Sequence, residues 1–149
     1  MARIRVTRKF TFEMAHALWN YDGPCRNIHG HSYQLFVTVT GETNSDPEST
    51  KLGMVMDFSD LKRIVKENVV DVYDHSVVIN ERASQPEIKR VKQMFDKFCI
   101  VDFQPTCENL VLDMAERIKK VLPDKVFLFS AKLVETATSY AEWFASDNP

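Results

Sequence analysis

Three of the chain's four histidines, His16, His29 and His31, fall within sixteen residues. Neutral imidazoles suit zinc, and three protein ligands leave a fourth position open for water or substrate. His29 and His31 stand two positions apart, so at the mouth of a strand both rings point to one face. His16 follows a first alternating segment whose hairpin partner carries the other two, and pairing brings all three together. The alternative is a chance His-x-His with surface rings. Cys25 stands four positions before His29, in Gly23-Pro24-Cys25-Arg26-Asn27-Ile28-His29-Gly30-His31. It has three readings: a fourth ligand closing a structural site, a thiolate base or nucleophile activated by a nearby cation, or an inert buried cysteine. Spacing leaves all three open.

Other residues carry weaker signals. In Asp74-His75 a carboxylate can orient an imidazole and raise its basicity, although neighbours in sequence rarely bond each other and a surface loop is the plain alternative. Glu135 shares a strand face with Phe127, Phe129, Ala131 and Leu133. A carboxylate there is costly without a partner. It either anchors a flat heterocycle bearing adjacent N–H donors or is solvated beyond a strand that ends at Val134. Thr106-Cys107-Glu108 opens a helix, where Thr106 and Glu108 serve at least as cap and dipole partner.

The elements that must hold these residues follow from periodicity. Residues 4–12 alternate, with Ile4, Val6, Phe10 and Phe12 on one face, and residues 32–40 repeat the pattern; period two predicts half-buried strands. A polar loop runs over 41–49. Asp57 and Asp60 flank a helix start, followed by Leu61, Ile64, Val65 and Val69 at helical spacing. A second helix is predicted from Pro86 to about Phe98, and a third from Thr106 to Val121 ahead of Pro123. Residues 125–135 and 139–145 read as strands. The order β-β-α-(α)-α-β-β predicts an α+β domain over residues 1–149: a four-stranded antiparallel sheet with helices on one face, its free edges open to pairing with other subunits.

Composition excludes other classes. The four glycines, Gly23, Gly30, Gly41 and Gly53, are too far apart for a dinucleotide fingerprint, a P-loop or a nucleophile elbow. Nineteen Lys and Arg against twenty-one Asp and Glu give a net charge of −2, with no basic stripe for nucleic acid. Three irregularly spaced cysteines, Cys25, Cys99 and Cys107, are no disulfide framework. No apolar run spans a membrane and no apolar leader is visible, so the expectation is a reduced, cytoplasmic protein.

Taken in order, these pieces resemble a known family: Phe12-Glu13-Met14-Ala15-His16, Cys25-x3-His29-Gly30-His31, Gly53-Met54-Val55-Met56-Asp57-Phe58-x2-Leu61-Lys62, Asp74-His75, Thr106-Cys107-Glu108-Asn109 and Glu135-Thr136. The chain resembles the 6-pyruvoyltetrahydropterin and 6-carboxytetrahydropterin synthases along most of its length. The resemblance implies the tunnelling fold, in which subunits close edge to edge into a trimeric barrel and two barrels stack into a homohexamer. It implies that His16, His29 and His31 bind Zn2+, and that Cys25 is a proton acceptor rather than a ligand. Asp74 and His75 become a relay pair at a subunit interface. Glu135 holds the pterin ring, in a pocket lined by Thr106, Cys107 and Glu108.

The implied substrate is 7,8-dihydroneopterin triphosphate. Zinc as a Lewis acid would acidify its side-chain hydroxyls, and the Cys25 thiolate would take a proton beside the ring. Triphosphate leaves. In the carboxy branch the side chain is then cleaved to acetaldehyde; in the pyruvoyl branch it is kept. The short Cys25–His29 spacing resembles the carboxytetrahydropterin synthases of the queuosine (7-deazaguanine) pathway. A non-catalytic zinc-stabilised oligomer, with Cys25 as fourth ligand, is the reading from another class; it leaves Glu135 and Asp74-His75 unexplained. Ala17 and Leu18 stand where the family commonly carries arginine, leaving Arg26 as a substitute cation. Residues 80–103 read as an insertion with no assigned role.

Overall fold

Alternation in the first forty residues builds the longest ladder of the molecule. In the computed structural model, which describes residues 2–149, strand β1 spans Arg3–Ala17 and β2 spans His29–Glu42. They pair antiparallel from Arg3↔Glu42 to His16↔His29. Phe10, Phe12 and Met14 of β1 and Tyr33, Leu35, Val37 and Val39 of β2 are buried on the shared inner face. Each apolar side chain so buried contributes roughly 1.5–3 kcal/mol before entropy is counted.

Helix α1, Phe58–Val65, begins at Asp57, whose carboxylate accepts from the Ser59 N–H at 2.8 Å. Its end widens into a π-helical turn over Lys66–Val70 and continues as α2, Asp71–Tyr73. Then come β3, Ser76–Asn80; α3, Gln85–Met94; β4, Phe98–Val101; α4, Cys107–Lys119; β5, Phe127–Thr136; and β6, Ser139–Phe144. Leu61, Val65, Val69 and Tyr73 from the first helical stretch join Leu110, Met114 and Ile118 from α4 in one core beneath the sheet.

The predicted four-stranded antiparallel sheet is corrected to a six-stranded mixed sheet, ordered β4-β3-β1-β2-β5-β6. β3 pairs with β1, and β4 with β3, both in parallel. Parallel strands buried on both sides read as continuous apolar runs without alternation. All five residues of β3 are buried, and the four-residue β4 begins at Phe98, where the predicted second helix ends. Helices on one face is corrected too. α3 sits on the opposite face, where Val91 packs with Val77 and Ile79 against Ala15 and Ala17.

Parity along β5 also differs from the prediction. A bulge where Thr38 and Val39 meet Ser130 and Leu128 adds a residue to β5 and reverses the alternation. Leu128 therefore enters the core with Ala131 and Leu133, while Phe127 is exposed. Phe129 lies under the Arg5 guanidinium, 3.6 Å from its ring centre. No helix among the described residues is long and apolar enough to cross a membrane.

Candidate metal centre and active site

β1 runs five residues past its predicted end, so His16 lies inside the strand rather than beyond it. Met14 and His16 keep the inward parity of Phe10 and Phe12. The register His16↔His29 and Met14↔His31 then sets three imidazoles on the core face. His16 is only 2% exposed.

Main-chain carbonyls fix two of the rings. His16 Nδ1 lies 2.7 Å from the Pro105 carbonyl and His29 Nδ1 lies 2.8 Å from the Asn27 carbonyl. A carbonyl only accepts, so each Nδ1 carries the proton and each Nε2 presents a lone pair. The two Nε2 atoms stand 3.1 Å apart. Burial holds His16 below the ordinary histidine value, although the Pro105 carbonyl pulls the other way. Two opposed lone pairs gain nothing from each other; a cation between them resolves the opposition. His31 Nε2 is buried with no hydrogen-bond partner, 3.0 Å from Glu135 Oε1. Ligand atoms of His16, His29, His31 and Glu135 all lie within 4.8 Å of one another. Imidazoles with a carboxylate are a donor set that fits zinc.

Beside the histidines a cavity of about 340 Å³ is lined by His16, Cys25, Thr106, Cys107, Glu108 and Glu135. Cys25 sits in a 3₁₀ turn, Pro24–Arg26, whose main chain is tied to β1 by Leu18 N–H donating to the Cys25 carbonyl at 3.0 Å. Gly23 stands just before it, and a side chain there would start 2.5 Å from the ring of the exposed Tyr21, which would have to move. Thr106 caps α4, its hydroxyl accepting from the Asn109 N–H at 3.3 Å. Burial pushes the Cys107 thiol up to about 12, with Glu135 adding to the effect. Cys107 therefore stays protonated and its sulfur donates to the Leu133 carbonyl at 3.3 Å.

The core-face reading of Glu135 holds: its carboxylate turns toward His31 and His16, 3.0 and 3.6 Å from their Nε2 atoms. Arg26 lines an adjoining cavity with Leu18 and Trp19. Asp74 and His75 do not line the Cys25 cavity. His75 borders a separate hollow with Glu13, His31 and Ser32. Unlike most sequence neighbours they do bond, with His75 Nδ1 3.0 Å from Asp74 Oδ1. Asp74 Oδ1 also accepts the Glu13 N–H at 3.0 Å. Burial alone would raise Asp74, but that N–H and His75 outweigh it and hold the carboxyl below its usual range. His75 carries φ +58°, a left-handed conformation costing a non-glycine residue roughly 1–3 kcal/mol.

Sequence reasoning missed the orienting carbonyls of Pro105 and Asn27, which leave no mark in side-chain types. It also missed Ser139 and Tyr140 of β6, which close the cavity; their alternation beyond Glu135 was the available signal.

A family model described as 6-pyruvoyl tetrahydropterin synthase matches residues 5–146. The 6-carboxy-5,6,7,8-tetrahydropterin synthase of Haemophilus influenzae is 36% identical over 142 residues, covering 93% of this chain and 97% of that protein. The 6-pyruvoyl tetrahydrobiopterin synthase of Dictyostelium discoideum is 30% identical, covering 91% of each. The solved Caenorhabditis elegans 6-pyruvoyl tetrahydropterin synthase superposes with a TM-score of 0.70 at 27% identity, over 97% of both chains. On the family match and these identities, the chain belongs to the 6-pyruvoyl tetrahydropterin synthase family.

Proposed function

We propose that this chain is a 6-carboxy-5,6,7,8-tetrahydropterin synthase. It converts 7,8-dihydroneopterin triphosphate to 6-carboxytetrahydropterin, releasing acetaldehyde and triphosphate, in queuosine (7-deazaguanine) synthesis in the cytoplasm. The observation that carries the reading is the convergence of three imidazoles on one face, with Cys25 and Glu135 lining the adjoining cavity. Relatives named for this activity support the carboxy branch.

His16, His29 and His31 would hold Zn2+, the Pro105 and Asn27 carbonyls leaving the Nε2 lone pairs of His16 and His29 free for it. When bound, zinc supplies Lewis-acid polarisation of the side-chain hydroxyls. Cys25 takes the proton from the side-chain carbon beside the ring. Glu135 accepts hydrogen bonds from the pterin N–H groups, between the walls made by Thr106, Cys107 and Glu108.

Asp74 and His75 relay protons. His75 lines a different hollow from Cys25 within one chain, and neither residue of the pair lines the Cys25 cavity, which favours delivery to a neighbouring subunit's Cys25. The working form is then a homohexamer of single-domain chains, a dimer of trimers, with sites at its interfaces. A monomer by sedimentation at micromolar concentration contradicts that assembly.

The pyruvoyl activity is the second reading, favoured by the Dictyostelium relative. Incubation of the zinc-loaded chain with dihydroneopterin triphosphate and identification of products by mass decides between them. The proposal expects acetaldehyde and 6-carboxytetrahydropterin. 6-Pyruvoyltetrahydropterin without acetaldehyde assigns the second activity, and unchanged substrate overturns both.

A further inference from the structure

Within residues 80–103, unassigned from sequence, the crossover from β3 to β4 ends on Lys97. Parallel pairing of β4 with β3 requires a connection of a dozen or more residues that returns the chain to its starting end, and α3 supplies it. The register Val77↔Phe98 leaves Lys97 beside the turn that precedes β3. From there Lys97 Nζ donates to the Asp71 carbonyl at 2.7 Å and to the Asp74 carbonyl at 2.6 Å. These carbonyls lie where α2 ends, and the last carbonyls of a helix lack partners and attract cations. The Asp71 carboxylate is itself taken by Lys66, at 2.7 and 3.0 Å, so the Lys97 ammonium serves the main chain.

The residue that follows is His75, at φ +58°. Its N–H donates to the Glu13 carbonyl at 2.6 Å, and its Nδ1 rests 3.0 Å from Asp74 Oδ1. A non-glycine residue keeps a left-handed conformation only where its surroundings over-determine it. β1 holds the turn on one side. On the other, Lys97 is the side chain bonded to the carbonyl that joins Asp74 to His75.

We propose that Lys97 is a positioning residue that sets the orientation of the His75 imidazole, and that the β3–β4 crossover serves to deliver it. The kinetic consequence rests on the reading of Asp74 and His75 as the proton relay; the orientation itself does not.

The test uses the full chain, zinc-loaded and labelled with ¹⁵N-histidine, as wild type, Lys97→Met and Lys97→Arg. For Lys97→Met the proposal expects the His75 ring-nitrogen signals to move toward those of a free imidazole. It also expects kcat to fall about ten-fold or more, as misplacement of a reacting group does, with KM and zinc content unchanged. Lys97→Arg, which keeps a cation able to reach both carbonyls, recovers most of both signals. A folded Lys97→Met with wild-type His75 signals overturns the proposal whatever its activity. Moved signals with wild-type kcat uphold the positioning role and overturn the relay reading instead. Should Lys97→Met not fold, Lys97→Gln is read against the same results.

Discussion

His16 and His29 face each other through Nε2 atoms 3.1 Å apart, and each has its Nδ1 proton committed to a carbonyl, of Pro105 and Asn27. Hydrogen bonding has thus assigned both tautomers before any ion arrives. Two lone pairs turned toward each other are a cost that a divalent cation turns into two bonds.

That arrangement predicts which histidine can be tested cleanly. His29 is partly exposed, so His29→Ala should fold yet lose most bound zinc, measured as metal per chain after dialysis. His16→Ala should lose zinc and stability together, because it also empties a buried site and strands the Pro105 carbonyl, at a cost of roughly 1–3 kcal/mol. Full zinc content in His29→Ala contradicts the ligand assignment.

Glu135 is near enough to the rings to serve as a fourth donor, and also lines the cavity. The pterin-anchor role predicts that Glu135→Gln keeps its zinc but raises KM for dihydroneopterin triphosphate by about ten-fold or more, the loss of roughly 1.5–3 kcal/mol from a charge-assisted hydrogen bond. Loss of zinc with the substitution reassigns Glu135 to the metal.

Cys25→Ala should retain zinc and fold but lose about 10² to 10⁴ in turnover, the usual contribution of a general base. Zinc content and turnover are read on one preparation. Cys107→Ala should not lose turnover on that scale, since its thiol is held protonated. Normal turnover by Cys25→Ala removes that residue from the mechanism.

The His and Cys spacing made the site legible because ligands on two paired strands obey a period of two, and the β1–β2 register honours it to the last pair, His16↔His29. The α4 start was legible from Thr106 and Pro105 for an equally local reason. β3 and β4 were not, because Ser76–Asn80 and Phe98–Val101 are short apolar runs whose pairing partners lie far away in sequence. Phe127 and Phe129 misled because a bulge is a property of the pair of strands, not of either alone. The placement of Asp74 and His75 away from Cys25 is a tertiary fact with no local signal.

Asp74 gives the account a pH signature. Its folded value lies below the ordinary 3.8, so its contribution to stability is complete above that value and is lost as pH falls through the lower folded one. Asp74→Asn should therefore be less stable than wild type near neutrality, and the gap in Tm should close as the pH drops below the ordinary carboxylate value. A gap that stays constant through that range denies the Asp74 charge any stabilising role.

X-ray absorption at the zinc edge of the loaded, substrate-free protein tests the central claim most directly, because it separates a metal with a base beside it from a metal closed by a thiolate. The account predicts only nitrogen and oxygen neighbours, at about 2.0–2.2 Å. A sulfur neighbour at about 2.3 Å would make Cys25 a ligand, close the fourth position and contradict the catalytic reading of the site.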